Sequence, residues 1–209
     1  MRETEYEIFL EIENHLLNDE KPSIFLTDLA QQNLLNNYPF SVIACLREVQ
    51  QNPKYHPEGS VFIHTMMVVD EGAKNRSKSN DKRAFMWALL LHDIGKEPTT
   101  RMRKGRLTSY DHDKVGADMA RKFLEYFNQD IDFIDKVVGL VRWHMQSLFV
   151  GKNSKFQNID DMLKDVDEKE IVLVALSDRM GRGGMNQDKV RETINQINIF
   201  KESIQSHKH

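Results

Sequence analysis

The stretch Ala84-Phe85-Met86-Trp87-Ala88-Leu89-Leu90-Leu91 is apolar around the whole circumference of a helix, and it runs straight into His92-Asp93-Ile94-Gly95-Lys96. A helix that is apolar on every side belongs in a core. Its end therefore carries an imidazole and a carboxylate into the interior, where an unpartnered carboxylate costs on the order of several kcal/mol. Something cationic has to meet Asp93, and a metal ion is the economical candidate. Neighbouring residues point about 100° apart on a helix, so His92 and Asp93 reach one ion only where the helix is ending. Gly95 suits such an ending. Taken alone, the pair also has a plainer account, with His92 as a cap and Asp93 in a salt bridge.

With 209 residues and 40% apolar content, the chain can bury a sizeable core in one domain, or in one domain with a small helical appendage. A net charge of −3 argues for neither nucleic acid nor membrane by itself. The one cysteine, Cys45, excludes an internal disulfide and suits a reducing compartment. Met1-Arg2-Glu3-Thr4-Glu5-Tyr6-Glu7 is acidic and lacks the apolar region of a signal peptide, and no apolar run approaches a membrane span. These features predict a cytoplasmic protein with no membrane partner. No metal role is expected of the histidines in the tail Ser206-His207-Lys208-His209.

Helical spacing recurs along the chain. Residues 5–17 place Ile8, Phe9, Ile12, Leu16 and Leu17 on one face, a second helix follows Pro22 with Phe25, Leu26, Leu29 and Leu34, and a third runs from Pro39 to about Val49. These three form an N-terminal appendage, residues 1–52, on a main domain of residues 53–209. After the turn-rich loop 53–60, Ser60 caps a helix bearing Val61, Phe62, His64, Met67 and Val68, and Asn80 or Asp81 caps the central helix. Residues 97–110 read as a loop with Arg101, Arg103, Lys104 and Arg106, either a solvated basic segment or one that attracts an anionic substrate. Asp111-His112-Asp113 opens a helix with Val115, Met119, Phe123 and Phe127 inward. A single helix over 131–149 carries Arg142-Trp143-His144, with His144 in register with Val137 and Val141. Asp165 or Asp167 caps the next helix, whose run Ile171-Val172-Leu173-Val174-Ala175-Leu176 ends in Ser177-Asp178-Arg179, repeating the pattern of Asp93. A last helix from 188 to about 204 turns Val190, Ile194, Ile197, Phe200 and Ile204 inward.

No stretch alternates as a half-buried strand should, so the fold class is all-α. His64, His92, Asp93, His144 and Asp178 lie on or beside the apolar faces of four helices, with His112 at the mouth of a fifth. One such residue is usually structural. Six are hard to explain separately, and bundle cores are where helices pool side chains for metal. Nitrogen and carboxylate donors without thiolates suit Mn, Fe, Co, Ni or Mg rather than a structural zinc.

The ordered series His64, His92-Asp93, Asp178 resembles the H…HD…D signature of the HD-domain metal-dependent phosphohydrolases, over residues 55–185. More narrowly, three stretches are similar to the HD-domain half of bacterial CCA-adding tRNA nucleotidyltransferases. They are Pro53-Lys54-Tyr55-His56-Pro57-Glu58-Gly59-Ser60 with His64-Thr65, Leu91-His92-Asp93-Ile94-Gly95-Lys96, and Ala175-Leu176-Ser177-Asp178-Arg179-Met180-Gly181-Arg182-Gly183. Residues 25–51 resemble the helical segment that precedes that half. The nucleotidyltransferase head, with its Gly-Gly turn and paired aspartates, has no counterpart in this sequence, so CCA addition is not expected of this chain alone.

The resemblance implies an HD-domain helical bundle in which His64, His92, Asp93 and Asp178 hold a first divalent ion. It implies a second at His112 and His144, with Asp93 bridging, and a Lys96 that touches a phosphate oxygen. A helix end also welcomes a lysine for its own sake. Metal-activated water would then hydrolyse a small nucleotide phosphate ester, either a 2′,3′-cyclic phosphate or a nucleoside monophosphate. Asp93 and Lys96 are the expected catalytic residues, and Lys96, Arg101, Arg103, Arg106, Arg142 and Arg182 the expected phosphate contacts. The competing expectation is a non-catalytic, metal-containing module that binds a nucleotide or an RNA end. A covalent intermediate is not expected, because Cys45 lies in the appendage and Ser177 has no base once the histidines are committed to metal.

Overall fold

A computed structural model describes residues 3–207. Met1, Arg2, Lys208 and His209 lie outside the described residues, and with them part of the acidic start and of the histidine tail. In chain order the elements are α1 (Glu3–Asn18), α2 (Pro22–Gln31), α3 (Ser41–Ala44) with a 3₁₀ turn at Cys45–Arg47, α4 (Val61–Asn75) with a 3₁₀ turn at Arg76–Lys78, α5 (Lys82–Leu91) and α6 (Lys96–Thr99). A hairpin of β1 (Thr100–Arg103) and β2 (Arg106–Ser109) follows. Then come α7 (His112–Tyr126), α8 (Ile131–Trp143), α9 (Gln146–Gly151), α10 (Ile159–Asp165), α11 (Glu168–Met180) and α12 (Gln187–Ser206). The fold is an all-α bundle with one small two-stranded sheet.

Helix α5 is the axis of the bundle. Every residue from Ala84 to Leu91 is buried, and α1, α4, α8 and α11 pack around it, with α7 laid against α8 and α12 against α11. The ring of Phe9 on α1 stacks on Trp87 at 4.6 Å and on Phe127 at 4.4 Å, while the Trp87 indole donates to Glu13 Oε2 at 2.9 Å. The N-terminal helices thus feed side chains into the same buried cluster as α5. Helix starts carry local caps. Ser60 accepts from the Ile63 amide at 3.4 Å, Asp81 from Ala84 at 3.0 Å, and Asp167 from Lys169 and Glu170.

The structure departs from the sequence expectations in several places. Residues 100–109 pair as an antiparallel hairpin, Arg101 opposite Thr108 and Arg103 opposite Arg106, turned by Lys104 (φ 49°) and Gly105 (φ 72°). Two adjacent residues at positive φ are what a tight hairpin turn of matching twist requires. Neither strand has a buried face, so neither shows the alternation by which a strand is read from sequence. Helix α2 stops at Gln31, ahead of Asn33 (φ 61°), and leaves Leu34 exposed. The third helix shrinks to α3 and its 3₁₀ turn. Helix α12 buries Thr193, Ile197, Phe200 and Ile204, with Val190 half-buried and Ile194 exposed, so its inward stripe is narrower than the apolar count suggests.

The expected helix over 131–149 breaks after Trp143. The His144 Nδ1 donates to the Val141 carbonyl at 2.7 Å, competing for the acceptor that the Met145 amide would use if the helix continued. Likewise α5 ends where His92 Nδ1 donates to the Leu89 carbonyl at 2.7 Å. No helix among the described residues is long and apolar enough to cross a membrane.

Candidate metal centre

The breaks at His92 and His144 aim both imidazoles at Asp93. His112, the first residue of α7, does the same after donating its Nδ1 proton to the Ser109 carbonyl at 2.7 Å. His64 on α4 presents its Nδ1 to the Gly181 carbonyl at 3.1 Å and to Glu58 Oε1 at 3.2 Å. In all four rings the hydrogen-bond network places a proton on Nδ1 and turns Nε2 toward the carboxylates, where it can bind a cation.

Those four Nε2 atoms converge. His92 Nε2 lies 3.2 Å and His64 Nε2 3.8 Å from Asp93 Oδ2, whereas His112 Nε2 lies 3.4 Å and His144 Nε2 3.8 Å from Asp93 Oδ1. His64 Nε2 is 3.1 Å from Asp178 Oδ1, at the end of α11. His112 and His144 face each other Nε2 to Nε2 at 3.2 Å. The structure therefore brings together all six residues expected as ligands, His64, His92, Asp93, His112, His144 and Asp178, and all six are buried.

This geometry tests whether a metal fits. Lone pairs aimed at carboxylate oxygens and at one another repel unless a cation or a proton lies between them. His92 Nε2 is buried without a hydrogen-bond partner, an orphan that a cation would satisfy. Burial, together with the charges of His112 and His92, pushes the His144 pKa down to about 3, so this ring is a neutral donor at any working pH. For His64, burial alone lowers the pKa, but hydrogen bonds to Asp178 and Glu58 and the charge of Asp93 raise it overall. Burial likewise works against ionised Asp93, and it is outweighed by the charges of His92 and Lys96 and by His112, which hold the carboxyl well below the usual range. For Asp178 the opposition to burial comes chiefly from Arg182 and His64. Two anionic carboxylates, the neutral His144 ring and a His64 whose Nε2 proton a bound cation would displace make a buried cluster that fits a divalent cation.

Two glycines set the approach of the helices. Gly95 has an ordinary φ of −69°, so a left-handed helix ending is not its role. A Cβ there would lie 2.1 Å from the His112 carbonyl oxygen and 2.5 Å from the Gly116 amide, so glycine is required for α7 to come this close to Asp93. At Gly181 a Cβ would meet the Val68 backbone at 2.7 Å, which keeps the end of α11, and Asp178 with it, against α4.

Asp93, His112, His144 and Asp178 line the floor of a cavity of about 1040 Å³, which His64 and His92 do not line. Lys96 reaches it with Nζ 2.7 Å from Asp93 Oδ2 and 2.8 Å from Gln51 Oε1. Arg142, paired with Asp113 at 2.6 Å, and Arg182, 3.6 Å from Asp178, also line it, as does Arg103. Arg101 and Arg106 do not line the cavity. The register sets them on the same face of the hairpin as Arg103 but farther from the cavity lining, and Arg101 donates to the Thr100 carbonyl.

Three residues without a role assigned from sequence stand in the site. Glu58 joins three segments, taking hydrogen bonds from His56 Nδ1 at 2.8 Å, from His64 Nδ1 and from the Gly183 amide at 3.0 Å. Those bonds to His56 and His64 overcome burial and hold its carboxyl far below the usual range. It fixes the tautomer and tilt of His64, as outer carboxylates do around metals. His56 lines the cavity beside it, and Gln51 presents a buried Nε2 that has no hydrogen-bond partner. Residues 50–58 lie outside any helix, so no periodicity marks them. Their one signal is the density of His, Glu and Pro between Pro53 and Ser60.

The HD domain family matches residues 54–183. The chain is 27% identical over 187 residues to the Multifunctional CCA protein of Pasteurella multocida, covering 86% of this chain and 44% of that protein. To the Multifunctional CCA protein of Haemophilus influenzae it is 29% identical over 205 residues, 91% of this chain and 47% of the relative. To that of Halorhodospira halophila it is 30% identical over 142 residues, 65% and 33% respectively. The chain spans less than half the length of these curated relatives.

Proposed function

The chain belongs to the HD-domain family of metal-dependent phosphohydrolases, and on that premise we propose that it hydrolyses the phosphate ester of a small nucleotide, a 2′,3′-cyclic phosphate or a nucleoside monophosphate. The observation that carries the proposal is the set of four Nδ1-anchored histidines whose Nε2 atoms converge on Asp93 and Asp178, two carboxylates that line a cavity also lined by Lys96, Arg103, Arg142 and Arg182.

His64, His92, Asp93 and Asp178 would hold one divalent cation, and His112 and His144 a second with Asp93 between them. Such a cation supplies Lewis acidity and brings the pKa of water toward neutrality. The chain's own residues do the rest. Two of the three ammonium protons of Lys96 are directed at Asp93 and Gln51, which leaves one for a phosphate oxygen. Gln51 Nε2 and Arg182 Nε, both buried and without a hydrogen-bond partner, are further donors beside that position. Arg142 keeps guanidinium N–H groups free beyond its bond to Asp113.

In the net reaction an oxygen from water joins phosphorus, the ester P–O bond breaks, and the departing ribose oxygen takes up a proton. Neither Cys45 nor Ser177 lines the cavity, which favours direct attack by water over a covalent intermediate. Protein stripped of metal and reloaded singly with Mn, Fe, Co, Ni or Mg tests this against 2′,3′-cyclic and 2′-, 3′- and 5′-monophosphates. Product is expected with at least one metal, and heavy oxygen from labelled water should appear in the phosphate. Label in the alcohol alone would mean attack at carbon, and no product with any metal would favour the non-catalytic module.

A further inference from the structure

Lys96 is held by a residue that lies ahead of the stretch matched to the HD domain family, residues 54–183. Its Nζ sits 2.7 Å from Asp93 Oδ2 and 2.8 Å from Gln51 Oε1, and Asp93, Lys96 and Gln51 all line the cavity. An ammonium has donors only, so the amide oxygen of Gln51, and not its nitrogen, must face it. That assignment turns Gln51 Nε2 away from Lys96, and this nitrogen is buried with no hydrogen-bond partner. A buried donor left unpaired is rare in a folded chain and calls for an acceptor.

The backbone that presents Gln51 is anchored on both sides. The Val61 amide donates to the Val49 carbonyl at 2.9 Å, and Gln50 bridges antiparallel to Ser60, the residue that caps α4. Just upstream, the 3₁₀ turn Cys45–Arg47 packs on α6, the short helix that begins at Lys96. Arg47 ties that turn back to the end of α2, donating to the Ala30 carbonyl at 2.9 Å, and to Asn36 Oδ1 at 2.9 Å. Downstream, the Asn52 carbonyl accepts from the Tyr55 and His56 amides at 3.0 and 2.9 Å. The segment before α4 and the helix that carries Lys96 are thus fixed relative to each other, and the Gln51 side chain spans the space between them.

From this placement we infer that Gln51 is the positioning residue for Lys96, its Oε1 directing the ammonium at a bound phosphate and its Nε2 donating to that phosphate beside it. This role rests on the reading of the cavity as a phosphate-ester site. Lysine is a point charge on a flexible stem. With Asp93 as its one partner, the ammonium would close onto that carboxylate. Gln51 supplies a second acceptor, which fixes the direction of the remaining N–H. Because the amide is uncharged, it holds the ammonium without neutralising it. A glutamate in its place would hold the lysine equally well, but it would set two carboxylates on one ammonium and repel an anion. A mere tie between the two segments would be served by either residue.

The test titrates the full chain, reloaded with Mn, with inorganic phosphate in a calorimeter, and follows turnover and metal content alongside. Gln51→Met should weaken phosphate binding about tenfold or more, as loss of a hydrogen bond to a charged group does, and keep its metal. Gln51→Glu should weaken it at least as far while melting within about 4 °C of wild type, because the hold on Lys96 survives. In Lys96→Met, which has no ammonium to direct, adding Gln51→Met should weaken binding much less than it does in wild type. Wild-type phosphate affinity in Gln51→Met or in Gln51→Glu would overturn the inference. So would an equal loss with and without Lys96, a loss of metal in Gln51→Met, or a wild-type chain that binds no phosphate. The two readings fail separately. Phosphate binding that depends on Gln51, without turnover on any metal, keeps this role and removes the hydrolase, while turnover and phosphate affinity that Gln51→Met leaves unchanged do the reverse.

Discussion

Replacing Gly95 by alanine is the sharpest structural perturbation available, because the added methyl points at backbone. The new Cβ would start 2.1 Å from the His112 carbonyl oxygen and 2.5 Å from the Gly116 amide, distances that have to open to at least 3.0 Å. Helix α7 must therefore retreat by about 0.9 Å relative to the 93–96 turn, the difference between 2.1 and 3.0 Å. No side chain can swing aside instead. Forced overpacking of this kind costs roughly 1–3 kcal/mol, which for a chain of this length corresponds to a melting point lower by about 2–12 °C. The retreat also widens the 3.4 Å spacing between His112 Nε2 and Asp93 Oδ1, so an ion held by His112 and His144 should be lost before one held by His64, His92 and Asp178. Gly151→Ala is the control. Nothing lies within 4 Å of a Cβ there, and the residue is the exposed last position of α9. That variant should be neutral, or more stable by up to about 1 kcal/mol through the unfolded state. Calorimetry with elemental analysis of both variants reads the two effects. A Gly95→Ala protein that melts with or above wild type, and keeps its full metal content, would refute the argument that α7 is held at this distance by glycine.

Glu58→Ala should weaken metal binding about 10- to 100-fold by releasing His64 Nδ1; competition against a chromogenic chelator measures it, and unchanged affinity in a folded variant would return Glu58 to a purely structural tie between loops. Phe9→Ala should cost roughly 3–5 kcal/mol in denaturant unfolding, because the ring is fully buried between Trp87 and Phe127; a loss under about 1 kcal/mol would mean that α1 is only loosely attached. Burial, reinforced by the charge of Glu97, pushes the Cys45 thiol up to about 11, so native protein near neutral pH should alkylate far more slowly than unfolded protein. Equal rates would contradict that environment.

What the sequence reveals here follows from where periodicity and burial coincide. The run Ala84–Leu91 and the run Ile171–Ala175 are legible as buried helices because nothing polar interrupts them, and the polar residues that end them stand out for the same reason. His64 and His144 are found by register with neighbouring apolar positions. The hairpin 100–109 is invisible to that logic, since both its strands lie at the surface and its arginines read as a charged loop. The break at His144 is hidden too, because a side chain that competes for the Val141 carbonyl leaves no mark in hydropathy. Gly95 illustrates a right residue with a different reason, which depends on what α7 places opposite it and not on its own backbone angles. Glu58 and Gln51 act through distances between segments remote in sequence, which spacing along the chain cannot supply.

The central claim is that the four Nε2 lone pairs meet around a cation. Anomalous scattering from crystals of the full chain equilibrated with Mn tests it most directly. A peak within bonding reach of His64, His92, Asp93 and Asp178 is predicted, with any second peak at Asp93, His112 and His144. Density with no anomalous peak among these residues, or imidazoles turned so that Nδ1 rather than Nε2 faces Asp93, would contradict it.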